Sequence, residues 1–246
     1  MKKALLLAAA LGLLASGAWA EEPVSAEQVL ARIDAAAAAP RDQDFEASLI
    51  LTDRAGNRSE RSLRIWQKGA DRRMARFLSP ADQKGISVLS LPDGSIYLYL
   101  PAYKKVKRIA SHVKNSSFAG TDFTYEDMEA VKYADKYTAS LVPGDGEHYV
   151  LDLAPRGGQE AAWSRLRLWA LKDSFLPVTV EYYDRKGALA RRLTSGAVEK
   201  IKGYWVARER EMRDLAADHR SRMVLTNIRF DSGLSDELFT TRYLER

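Results

Sequence analysis

Two hydrophobic periods divide the chain. Ser25-Ala26-Glu27-Gln28 has the S-x-x-Q form of a capping box, and Val29, Leu30 and Ile33 follow it at helical spacing. This predicts a helix running through Ala35 to Ala39 and stopping before Pro40. From Asp44 the period becomes two. Phe45, Ala47, Leu49 and Leu51 alternate with Glu46, Ser48 and Ile50, Asp53-Arg54-Ala55-Gly56-Asn57 reverses the chain, and Leu63 and Ile65 resume the alternation. Turn clusters then recur: Lys68–Asp71, Pro92-Asp93-Gly94, Pro143–Gly146, Pro155–Gly158 and Asp184–Gly187. Between and after them lie strand-like runs at Ile86–Leu91, Ser95–Leu100, His148–Ala154, Ala162–Ala170, Pro177–Tyr183, Ala188–Val198, Tyr204–Asp214 and Arg220–Asp231. About a dozen strands on short turns predict a mainly β, antiparallel meander, either sandwich or barrel.

Two runs depart from simple alternation. Ile96-Tyr97-Leu98-Tyr99-Leu100 is apolar or aromatic on both faces, so it is either covered on both sides or lines an apolar cavity on one. Arg208-Glu209-Arg210-Glu211-Met212-Arg213-Asp214 is charged on both faces and reads as a solvated strand without chemistry of its own.

The N-terminus bears on compartment. Met1-Lys2-Lys3, the apolar run Ala4–Leu14 and Ala18-Trp19-Ala20 have the form of a cleaved secretory signal peptide over residues 1–20, which predicts a periplasmic mature chain of one domain over 21–246. The apolar run is shorter than the ~20 residues a membrane span needs. Without Lys2 and Lys3 the 38 basic residues fall to 36 against 33 acidic, a net charge of +3. That is too mild a balance to argue for nucleic acid. With no cysteine, the fold rests on its core alone and thiolate metal sites are excluded.

Catalytic patterns are equally sparse. His112, His148 and His219 fall in no H-E-x-x-H, and G-x-S-x-G, P-loop and G-x-G-x-x-G motifs are absent. Ser111-His112-Val113-Lys114 matches S-x-x-K, but without its S-D-N and K-T-G companions. Asp122, Glu126 and Asp127 follow no EF-hand order, and nothing in the sequence sets a glycosidase carboxyl pair. The reading is therefore of a protein with no catalytic residues, metal or cofactor.

One block carries a family resemblance. Phe77-Leu78-Ser79-Pro80-Ala81-Asp82-Gln83-Lys84-Gly85 is followed in order by Tyr97–Ala102, Val106-Lys107-Arg108-Ile109 and Phe118-Ala119-Gly120-Thr121-Asp122-Phe123-Thr124-Tyr125-Glu126-Asp127-Met128, and the chain closes on Asp236–Leu244. This set resembles the periplasmic outer membrane lipoprotein-sorting protein family of LolA/LolB-like fold. The family often has Met-Gly-Ser at Ala119-Gly120-Thr121, Ser at Thr124 and Leu at Met128, all changes that keep size or hydrogen-bonding character.

The resemblance implies an open, strongly curved antiparallel sheet, an incomplete barrel, with an N-terminal helix and a loop-helix lid over its concave face. It further implies a carrier of lipid or acylated-protein cargo, in transient contact with membranes and with an inner-membrane exporter of the RND type as partner. The alternative is an envelope binding or structural module that transports nothing. Alternation nominates Leu49, Leu51, Leu63, Ile65, Phe77, Tyr97 and Tyr99 as the cavity lining. In the lid, Gly120 is expected to supply a tight turn, Phe118 and Phe123 to pin the loop to the sheet beside Tyr125, Asp127 to cap a short helix begun at Thr124, and Asp122 to pair with Arg108.

Overall fold

The computed structural model describes residues 24–129, 132–157 and 162–246. The expected signal peptide lies outside the described residues. Helix α1 (Ala26–Ala37) opens the fold, and its capping box forms: Gln28 N donates to Ser25 Oγ and Ser25 N donates to Gln28 Oε1. Six strands follow: β1 (Asp42–Thr52), β2 (Arg58–Lys68), β3 (Arg72–Ser79), β4 (Ser87–Ser90), β5 (Ile96–Leu100) and β6 (Lys105–Arg108). A long connection containing α2 (Tyr133–Lys136) leads to seven more: β7 (Tyr137–Val142), β8 (His148–Pro155), β9 (Arg165–Leu171), β10 (Pro177–Tyr183), β11 (Leu189–Ile201), β12 (Tyr204–Asp214) and β13 (His219–Phe230). The short helix α3 (Thr241–Leu244) ends the chain.

All 13 strands form one antiparallel sheet in the order β6-β5-β4-β3-β2-β1-β13-β12-β11-β10-β9-β8-β7. It consists of two meanders joined where β1 pairs with β13, and its outer strands β6 and β7 do not pair with each other. The sheet is therefore mostly β and not closed into a barrel. Because β6 and β7 are consecutive in sequence but lie at opposite edges, residues 109–136 must cross from one edge to the other. That crossing segment is the lid.

The sheet curls around this segment. β3 and β11 stand five strand spacings apart, about 24 Å on a flat sheet at ~4.8 Å each. Yet Asp127 meets both, through Arg73 on β3 and Arg191 on β11. The concave face carries one alternating set: Ala47, Leu49 and Leu51 oppose Leu63, Arg61 and Ser59 on β2, and Leu225, Met223 and Ser221 on β13. Leu63, Ile65 and Phe77 continue it toward β3, while Leu151, Leu153, Leu166 and Leu168 extend it under α1.

The convex face has a second, smaller core. Trp66, Met74 and Leu89 are covered there by Leu238, Phe239 and Leu244 of the C-terminal segment. Buried Asp42 anchors that segment, its carboxylate accepting from the backbone N–H groups of Ser232, Gly233 and Leu234. Asp236 pairs with Lys68 at 2.8 Å and Arg72 at 2.6 Å, and Arg76 donates to the Tyr243 carbonyl. This cover explains the doubly apolar β5: Ile96 and Leu98 face the concave core, and Tyr97 and Tyr99 face the C-terminal segment.

Candidate functional site

The lid begins as a tight hairpin. Phe118 N donates to the Phe123 carbonyl at 2.7 Å, and Ser117 and Thr124 form a bridge. The turn between them needs left-handed backbone at Ala119 (φ 51) and Gly120 (φ 74), and the absence of a side chain at Gly120 makes the second of these cheap. Thr124 and Asp127 then make reciprocal bonds: Thr124 N donates to Asp127 Oδ2 at 2.7 Å, and Asp127 N donates to Thr124 Oγ1 at 3.2 Å. They start the single 3-10 turn Glu126–Met128.

Aromatic groups fix this hairpin to the sheet. Phe118 stacks on Phe77 at 5.4 Å between ring centres, and Tyr125 meets Phe118 edge-on at 5.6 Å. Phe118, Phe123 and Met128 all join the concave core. Leu49, Leu63 and Phe77, three of the expected lining residues, are no more than 2% exposed beneath them. Leu51 and Ile65 lie on the same face and are also buried. Tyr97 and Tyr99 lie on the other face, so alternation placed them in the wrong compartment: the parity of β5 assigns the concave side to Ile96 and Leu98.

Polar latches reinforce the aromatic contacts, and both halves of the sheet contribute. From β2 and β3, Arg61 donates to the Ala119 carbonyl, and Arg73 donates to the Glu129 carbonyl at 3.0 Å and to Gln67 Oε1. From β11, Arg191 donates to the Asp122 carbonyl and pairs with Asp127 Oδ2 at 2.8 Å, its guanidinium lying over Trp163 and Tyr182. From β13, Ser221 Oγ bonds Asp122 Oδ2 at 2.7 Å, and His219 Nδ1 lies 2.7 Å from the same oxygen. The expected Asp122–Arg108 pair does not form, because Arg108 lies in register with Tyr97, on the convex side, and bonds Ser95.

The exit of the lid is held in the same way. Buried Glu129 accepts from Lys114 at 2.6 Å and from Lys136 at 2.7 Å, and Lys136 also reaches Glu126 at 2.7 Å. Asp34 of α1 accepts from the N–H groups of Tyr133 and Ala134. Burial raises the Asp34 carboxyl above its usual value despite those two bonds. Burial works against the Lys136 ammonium, but the charges and hydrogen bonds of Glu126 and Glu129 outweigh it and hold the group above its usual value. Burial, with the like charge of Arg210, pushes the Arg73 guanidinium down to about 10.

The Asp122 cluster has the residue types of a hydrolytic triad but not its geometry. Serine and histidine both terminate on the carboxylate, whereas a nucleophilic serine must hydrogen-bond its base. Ser221 is moreover fully buried. Among the described residues no group of three or more acidic or histidine side chains is placed to hold a metal. The cluster can fasten a loop.

Residues 69–246 match a family model described as "uncharacterized protein". A DUF1329 family protein from Desulfovibrio piger is 29% identical, with a TM-score of 0.81 over 88% of this chain and 96% of its own. The chain belongs to this DUF1329-like family. A putative outer membrane lipoprotein-sorting protein domain from Vibrio parahaemolyticus is 28% identical, with a TM-score of 0.80 over 88% of this chain and 97% of its own. A LolA superfamily protein from Nitrosomonas europaea shares the fold at a TM-score of 0.74 and 18% identity, over 90% of this chain and all of its own. No curated protein matches the chain. Among the described residues no helix is long and apolar enough to cross a membrane.

Sequence reasoning missed most of the latch residues of this LolA-like sheet. Arg191, His219 and Ser221 lie 64 to 99 residues from their lid partners, so no local spacing announces them. Arg61 and Arg73 did leave a signal, as charges at apolar-phase positions of β2 and β3.

Proposed function

We propose that the protein is a periplasmic carrier that holds the acyl chains of a lipid or acylated protein against its concave face and delivers them between envelope membranes. The observation that carries this reading is the manner of lid closure. The apolar face of β1–β3 is covered by three side chains, Phe118, Phe123 and Met128, on a segment attached to the rest of the sheet by side-chain latches. Side-chain latches can release without breaking a strand ladder. Leu49, Leu51, Leu63, Ile65 and Phe77 would then meet cargo in place of the lid's own aromatics.

Physical need and kinship support the same reading. Exposing a sixteen-carbon chain to water costs on the order of 12 kcal/mol at ~0.8 kcal/mol per CH₂, so unaided passage between membranes is slow. A soluble apolar face offsets that cost and needs no catalytic residue. The Vibrio parahaemolyticus neighbour carries a lipoprotein-sorting name. The signal-peptide form of residues 1–20 supports the periplasm. The family resemblance supports an RND-type inner-membrane exporter as donor or acceptor.

Native mass spectrometry of the mature protein isolated from the periplasm, followed by solvent extraction, tests this. A bound phospholipid or acylated peptide is the expected result. A protein that is empty and takes up no fluorescent acyl probe would instead be the non-transporting envelope module.

A further inference from the structure

Five arginines stand on the concave face of β2, β3, β11 and β12, and four are engaged. Arg61 and Arg73 hold lid carbonyls, Arg191 holds Asp127, and Arg208 lies 3.2 Å from Glu199. Arg210 is the fifth. Strand register places it between Ser195 of β11 and Met223 of β13, in the row that also contains Met212. Among the described residues it has no hydrogen bond, ion pair or ring partner.

Toward β13 the neighbours of Arg210 on the concave face are apolar, while Ser195 flanks it on β11. Met212, Met223 and Leu225 on that face are buried, and Leu193 is half-buried. Tyr133, Tyr182 and Arg73 are close enough to act on its charge or to feel it. Arg210 is itself exposed, so water reaches its guanidinium. An exposed side chain on the concave side of a curled sheet lines the open part of that face rather than the outer surface. With no ion-pair partner among the described residues, its guanidinium is free to take an anion that enters this face.

We propose that Arg210 anchors the anionic head of the cargo, an acyl chain bearing a carboxylate or phosphate group, by charge-assisted hydrogen bonds from its guanidinium. The planar fork suits both groups, and the apolar row of Met212, Met223 and Leu225 leads from it toward Leu49, its chain-binding neighbour across β13. This rests on the carrier reading and adds a head-group preference to it.

The test is competition against a bound fluorescent acyl probe by palmitate, lysophosphatidic acid and neutral monopalmitoylglycerol. The purified proteins are the wild type, Arg210→Met, Arg210→Lys and Arg220→Met, the last altering an exposed arginine of the convex face. The acids should bind the wild type and Arg220→Met about tenfold or more tighter than the neutral lipid, the scale of a charge-assisted hydrogen bond. Arg210→Met should abolish that preference by weakening the acids alone, and Arg210→Lys should retain part of it. The tighter of the two acids identifies carboxylate or phosphate as the head group. Equal binding of acid and neutral lipid by the wild type, or a preference unchanged in Arg210→Met, overturns the anchor while leaving the carrier reading in place. Failure of the wild type to bind the probe or any of the three lipids overturns both.

Discussion

Arg191→Met should loosen the lid without unfolding the sheet. The Arg191 side chain is 7% exposed and makes two charge-assisted bonds to the lid, to the Asp122 carbonyl and the Asp127 carboxylate. Each such bond contributes roughly 1.5–3 kcal/mol net. Its Nε has no partner among the described residues, so removing that buried donor recovers part of the loss. Methionine keeps the stem packed against Trp163 and Tyr182. The closed lid should therefore lose about 2–3 kcal/mol, a roughly 30- to 150-fold rise in its opening equilibrium.

Native-state hydrogen exchange reads that equilibrium locally. The reporters are the amides of Asp122, Tyr133 and Ala134, which donate out of the lid to Ser221 and Asp34. They should exchange faster by the stated factor, while the β1–β2 ladder around Ala47 and Leu49 keeps its wild-type rates. An unchanged lid, or equal acceleration of lid and ladder, would refute the view that the lid opens as a separate unit.

Three further outcomes follow from the same geometry. Burial alone would raise the Asp44 carboxyl, but its bonds and charge interactions with Arg64 and Arg229 outweigh burial and hold it below its usual value. The stability it adds is present above the unfolded carboxylate value near 4 and is lost as pH falls through the lower folded value. Asp44→Asn should cost about 1–3 kcal/mol at pH 7 and flatten the fall in melting temperature on acidification, measured by thermal denaturation from pH 6 to 3. Phe77→Ala should cost about 3–5 kcal/mol in urea denaturation, because it empties a fully buried site and removes the ring under Phe118. Leu244→Ala should cost about 2–5 kcal/mol through the convex core yet leave acyl-probe affinity unchanged in titration, since that core lies on the opposite face of the sheet.

The legible parts of this fold are those written in short-range patterns. The Ser25–Gln28 cap, the Asp53–Asn57 turn and the alternation of β1 are local, and the structure keeps them. β3 is hidden because Arg72, Arg73 and Arg76 interrupt its apolar positions, and these are the very residues that bind the lid and the C-terminal segment. Parity gave each strand two faces without saying which is concave, so Tyr97 and Tyr99 were nominated with Leu49 although a C-terminal cover claims them. The charges of β12 read as solvent-facing, and Arg208 and Arg210 do stay accessible to water, but register sets them on the concave side with Met212. The curl arises from the joining of β1 to β13 and from the crossing of residues 109–136, neither of which has a local signature.

The carrier account is tested most directly by photolabelling. A palmitate analogue with a diazirine near the chain terminus would be bound to the purified protein, irradiated, and its adducts mapped by peptide mass spectrometry. Adducts should concentrate on the concave peptides containing Leu49, Leu63 and Phe77 and on the lid from Phe118 to Met128, and unlabelled palmitate should remove them. Adducts confined to the convex peptides around Trp66 and Leu244, or labelling that palmitate does not displace, would contradict it.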